Sequence, residues 1–123
     1  MGIARVTGRV RRPHGRGQSV RLGFLVDTGA VYTVLPARVW RRLSLRPLRS
    51  AEFTLADGTT IVRPISECWI EIAGTGATSP VVLGAAADGP LLGAVTLETL
   101  GLMVNPLSRE LLPMRLTLAP LPV

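Results

Sequence analysis

Apolar positions in this chain recur at every second residue or in short unbroken runs, and Gly, Pro and Asp-Gly steps interrupt them at close intervals. That spacing predicts a fold built from short strands. Residues 3–10, from Ile3, alternate small or apolar side chains with Arg and Thr, as a half-exposed strand does, and residues 12–18 form a polar turn. Val20–Val26 returns as a second strand, and residues 31–35 read as another. Residues 52–55 and 60–63 flank the Asp57-Gly58 step and predict a hairpin with that step at its tip. Residues 67–72 alternate, with Cys68, Ile70 and Ile72 on one face and Glu67, Trp69 and Glu71 on the other. A turn over 73–78 and strands over 80–83, Leu102–Val104 and 111–118 complete the expected sheet. A helical period shows only twice. Residues 36–43 open with Pro36 at the first helical position and place Val39, Trp40 and Leu43 on one face, with Arg38, Arg41 and Arg42 elsewhere. Ala94–Leu100 ends at Gly101, which suits a helix cap. The expected architecture is one all-β domain over residues 1–123 with one or two short helices.

Candidate chemistry lies in residues 24–36, where Asp27 is set between two apolar runs. An ionised carboxylate there is costly unless it meets donors, shares a proton or faces a watered cleft. Thr28 offers a hydroxyl, and Gly29 lets the following amides turn toward the carboxylate.

Phe24-Leu25-Val26-Asp27-Thr28-Gly29-Ala30, followed by Val34-Leu35-Pro36, resembles the signature of the retropepsin-like (clan AA) aspartic proteases. A second anchor is Leu91-Leu92-Gly93 ahead of a short helix, and Leu97-Glu98 with residues 101–106 is similar to bacterial-type single-domain members. The resemblance covers about residues 20–106 and implies a closed acid-protease half-barrel that works as a two-fold homodimer. It implies Asp27 as the catalytic carboxylate, Thr28 bracing the loop across the dimer axis, Gly29 giving the carboxylate a backbone donor and Ala30 lining the cleft. Ala56, Asp57 and Gly58 fall where the family has a flap that covers an extended peptide. Leu91, Leu92 and Gly93 would support the site, Gly93 because a strand passing close beneath the catalytic loop leaves no room for a Cβ. Walls from Val31, Ile61 and Leu91 or Leu92 would favour hydrophobic side chains of a peptide or protein substrate. Viral relatives follow the glycine with a charged pair that braces the dimer and interleave their terminal strands; this chain has Ala94-Val95 and carries Pro113, Pro120 and Pro122.

Two-lobed aspartic proteases carry two Asp-Thr/Ser-Gly elements, and this chain has one, so a second Asp27 must come from a second copy. Two carboxylates a few ångströms apart cannot both ionise comfortably, so the pair would hold one proton between them. One then acts as general base on a bound water and the other as general acid, with no metal and no cofactor required.

Composition changes this picture little. The net charge of +6 is all arginine: eleven stand against Asp27 alone in residues 1–49, and three against seven acids thereafter. Scattered arginines with few aromatics beside them make nucleic acid an unfavoured partner. His14 stands alone in a polar turn and has no companions for a metal site. One cysteine, Cys68, points to a reducing compartment, no run is long enough to span a bilayer, and no apolar h-region follows Arg5, Arg9, Arg11 and Arg12. A soluble cytoplasmic homodimer with no membrane partner is therefore expected. Two other classes fit the sequence: a catalytically silent dimer or peptide-binding module on the same fold, and an Arg-driven nucleic-acid binder.

Overall fold

Period-two burial places most of the strands. In the computed structural model, which describes residues 4–15 and 17–120, β1 (Arg5–Arg11) and β2 (Val20–Val26) pair antiparallel from Arg5↔Leu25 to Val10↔Val20. Val10, Val20, Leu22, Phe24 and Val26 all point inward. Ile3, Arg16 and Pro122 lie outside the described residues. Next come β3 (Thr33–Leu35), α1 (Ala37–Arg42), β4 (Arg49–Thr54), β5 (Thr60–Ile72) and β6 (Thr75–Leu83). The chain ends with β7 (Leu91–Leu92), α2 (Ala94–Leu100), β8 (Leu102–Val104) and β9 (Leu111–Pro113).

Seven strands join in the order β1-β2-β7-β3-β6-β5-β4, and an added β1–β5 pairing closes six of them into a barrel. The barrel, with two short helices, matches the expected all-β class. Its interior holds Phe24, Leu35, Ile70, Ile72, Val81 and Leu92, all essentially without exposed surface. Val39 and Leu43 of the α1 region join this core, and the Trp40 indole N–H donates to the Gly84 carbonyl at 2.8 Å. Cys68 is buried there as well; burial pushes its thiol up to about 12, which leaves it a core residue without nucleophilic character.

Four expectations need correction. Residues 60–63 and 67–72 are one continuous strand, β5, despite Pro64. The Ile65 carbonyl accepts from Leu48 on the β4 side, so by alternation the Pro64 nitrogen faces away from β4, just outside the β5–β6 register that begins at Ile65↔Val82, where no ladder N–H is missed. The turn expected over 73–78 is only Ala73-Gly74, both at positive φ, because β5 and β6 pair as far as Ile72↔Thr75. The strand expected from residue 31 starts at Thr33, since residues 27–32 are used by a turn and bend. The last strand stops at Pro113 instead of continuing to 118; among the described residues it pairs only with β8, and Leu116 and Leu118 beyond it are exposed. Among the described residues, no helix is long and apolar enough to cross a membrane.

Candidate active site

Asp27 ends β2 and opens a turn. Its backbone carbonyl accepts from Ala30 N at 3.1 Å, and its Oδ1 accepts from Gly29 N at 2.9 Å. The carboxylate thus organises its own loop as an Asx turn. Asp27 is half-buried, while Thr28 and Gly29 are exposed. This rim position gives a carboxylate one backbone donor and leaves it access to solvent.

The loop is fixed from below. β7 lies between the two strands that the loop connects, with Leu25↔Leu91 and Val26↔Leu92 parallel on one side and Val34↔Leu91 antiparallel on the other. Asp27 N donates to the Leu92 carbonyl at 3.1 Å, and the first amides of α2 reach back, Ala94 N to Ala30 O at 2.8 Å and Val95 N to Val31 O at 2.9 Å. Gly93 passes so close that an added Cβ would stand 2.5 Å from the Tyr32 carbonyl carbon and 2.9 Å from Thr33 N. No side chain fits there.

Three buried hydroxyls that the sequence reading missed tie this underside to β6. Gly93 N donates to Thr33 Oγ1 at 3.0 Å; Thr33 and Thr96 hydroxyls lie 2.6 Å apart, and Thr96 and Ser79 hydroxyls 2.8 Å apart. Each hydroxyl has one proton to donate. Because Ser79 donates to the Pro80 carbonyl at 3.2 Å, it must accept from Thr96, and Thr96 must accept from Thr33. The result is one directed chain, Gly93 N–H to Thr33 to Thr96 to Ser79 to Pro80 carbonyl, in which every donor is used. Among the described residues, no buried side-chain polar atom lacks a partner. A signal existed in the sequence: Thr33 interrupts an apolar run, and Thr96 lies on the buried side of α2 between Val95 and Leu97.

A groove of about 450 Å³ opens beside the loop. Gly29, Ala30, Val31 and Tyr32 form one wall, Phe53, Thr54, Leu55, Ile61 and Arg63 of the β4–β5 hairpin another, and Val34, Val82 and Leu91 the floor, with Asp88 and Gly89 at the margin. Of the expected apolar walls, Val31, Ile61 and Leu91 line it, while Leu92 is fully buried in the core. The structure does not bring Ala56, Asp57 and Gly58 to this groove; they form the exposed hairpin tip, and the residues before and after them form the wall. At that tip Asp57 Oδ1 accepts from Thr59 N at 2.9 Å and from the Thr59 hydroxyl at 2.6 Å. These bonds, led by the Thr59 hydroxyl, lower the Asp57 carboxyl below its ordinary value. Among the described residues, no group of three or more His, Cys, Asp or Glu side chains is placed to hold a metal ion.

Comparison with known proteins gives a family and two similar folds. Residues 14–99 match the family described as "gag-polyprotein putative aspartyl protease". The fold is similar to that of EIAV protease, solved with the inhibitor HBY-793, at a TM-score of 0.61 and 18% identity, covering 95% of this chain and 94% of that one. It is also similar to the solution structure of simian foamy virus (mac) protease, at a TM-score of 0.56 and 15% identity, covering 77% of this chain and 92% of that one. No curated protein matches the sequence.

Proposed function

The chain belongs to the retropepsin-like aspartyl proteases of the gag type, and from that premise we propose that it is an aspartic endopeptidase whose active form is a homodimer. One protomer offers one rim carboxylate, and a single carboxylate cannot serve as acid and base at the same moment. Two copies of Asp27 meeting across a two-fold axis can. They share one proton; the ionised member takes a proton from a water held between them, and the protonated member donates to the scissile carbonyl oxygen. The water oxygen adds to the carbonyl carbon, the proton gained by the base passes to the leaving amine as the C–N bond breaks, and the other carboxylate recovers its proton from a hydroxyl of the intermediate as the carbonyl re-forms.

The observation that carries this reading is the underpinned turn at Asp27: a carboxylate at the barrel's rim, with its loop held by β7, α2 and the hydroxyl chain, beside a peptide-sized groove. Within it, Gly29 N holds the carboxylate's orientation, Ala30 lines the cleft, and the exposed Thr28 hydroxyl is free to reach its counterpart in the partner. The β4–β5 hairpin serves as the flap, with Ala56, Asp57 and Gly58 crossing over bound peptide in the dimer. Extended peptide pairs with such an edge by strand addition. Leu91, Leu92 and Gly93 act as the loop's support. No metal or cofactor enters the reaction, and the single free, buried Cys68 fits a reducing compartment such as the cytoplasm.

Incubating the purified chain and its Asp27→Asn variant with a peptide mixture at about pH 4 to 6, read by mass spectrometry, tests the proposal. Internal peptide bonds are cut by the native chain and not by the variant; equal cleavage by both discards the mechanism. A second reading, a silent peptide-binding dimer, is favoured by the uncharged Ala94-Val95 after Gly93. It predicts peptide binding without cleavage by either protein.

A further inference from the structure

The groove-facing side of the β4–β5 hairpin carries charge that an apolar peptide groove does not need. Directly opposed residues of an antiparallel pair share a face. The pairings Arg49↔Ile65, Ala51↔Arg63 and Phe53↔Ile61 therefore put Arg49, Phe53, Ile61 and Arg63 on one side of the hairpin. Phe53, Ile61 and Arg63 all line the groove, so that side faces it. Arg63 is half-buried, and its side-chain hydrogen bond among the described residues is a long one, 3.3 Å to the Val62 carbonyl. Arg49 donates to the Tyr32 hydroxyl at 3.2 Å and stands 5.9 Å from the centre of that ring. Tyr32 in turn meets Phe53 edge-on at 6.1 Å. Arg63 thus lines an aromatic-walled part of the groove, Arg49, its diagonal neighbour on the hairpin, borders it through Tyr32, and the Tyr32 proton remains available to an acceptor.

We propose that Arg63 and Arg49, with the Tyr32 hydroxyl, form a subsite for an acidic side chain of the peptide, so that the enzyme selects substrates carrying Glu or Asp at one position beside the cut bond. This rests on the protease reading above. A half-buried guanidinium flanked by apolar side chains gains more from a carboxylate than from a neutral amide, because the bond is charge-assisted and poorly screened. The one carboxylate lining the same groove, Asp88, is engaged by its own loop, its Oδ2 accepting from Ala85 N at 2.7 Å. It leaves the arginines for the peptide.

Paired peptides that differ only as Glu or Gln at each position test the subsite, with the full chain as native, Arg63→Gln and Arg49→Gln/Arg63→Gln proteins. At one position the native protein is expected to favour Glu by about tenfold in kcat/KM, a ratio that falls toward one in the double variant and shrinks with added salt. The same pairs are titrated against Asp27→Asn protein, which binds without cutting, and there the Glu peptide is expected to bind about tenfold tighter. A Glu:Gln ratio near one at every position, or a ratio unchanged by the double substitution, overturns the subsite. Cleavage no faster than by Asp27→Asn overturns the protease reading instead, and the binding ratios still decide the subsite.

Discussion

Two aspartates in this chain make the same local bond and sit in opposite settings. Asp27 and Asp57 each accept the backbone N–H two residues on, at 2.9 Å, in an Asx turn. The Asp57 turn stands at an exposed hairpin tip, and its oxygen also takes the Thr59 hydroxyl. The Asp27 turn rests on β7, on the first amides of α2 and, through Gly93, on a chain of three buried hydroxyls. The turn itself therefore does not make a site. What distinguishes Asp27 is an underside that fixes its loop while, among the described residues, no side chain hydrogen-bonds the carboxylate.

The contrast breaks most completely at the carboxylate. Asp27→Asn keeps the turn's acceptor oxygen but removes the proposed acid–base group, so peptide cleavage is expected to fall by at least about a thousandfold with the thermal transition little changed. A loss of folding in that variant would mean the contrast lies in stability alone. Gly93→Ala comes next: its methyl meets Tyr32 backbone that cannot yield like a side-chain tip, and a loss of about 3 kcal/mol is expected in urea unfolding. Wild-type stability would show that the underside is looser than the packing implies.

Thr33→Val cuts the hydroxyl chain at its first link and leaves the buried Gly93 N–H without an acceptor, at a cost of about 1–3 kcal/mol. Thr33→Ser is expected to restore most of that stability; if Ser and Val behave alike, the hydroxyl chain is not what holds the loop. The smallest effect lies at the other aspartate. The Asp57 carboxyl is depressed, so the tip contact it makes is present above its unfolded value and is lost as pH falls through its lower folded value. Its carboxyl resonance is expected to titrate below 3.8, and titration at or above that value would remove the Thr59 contact from the account.

Much of this was legible in the sequence because burial follows alternation. The faces of residues 67–72, the apolar side of α1 and the two short helices all follow from side-chain period. Asp27 and Gly93 were legible because the turn uses a short side-chain acceptor and the approach to Tyr32 leaves no room for a Cβ. Strand continuity at Pro64 was not, since it depends on which edge the missing N–H faces. Nor was the hydroxyl chain, whose three members lie at residues 33, 79 and 96 and meet only when β3, β6 and α2 pack together. Phe53 and Leu55, which join the expected Ile61 in the groove wall, escaped notice for a similar reason: hairpin register, set by Thr54↔Thr60, decides which side chains face inward.

The central claim is that one active centre uses an Asp27 from each of two chains, and mixing native with Asp27→Asn chains measures it directly. Co-refolded at a constant total concentration, the two form random pairs if the chain dimerises. If both carboxylates are needed, activity follows the square of the native fraction and drops to about one quarter at an equal mixture. A linear fall, with about half the activity left at that point, would show each Asp27 acting alone and would contradict the shared centre.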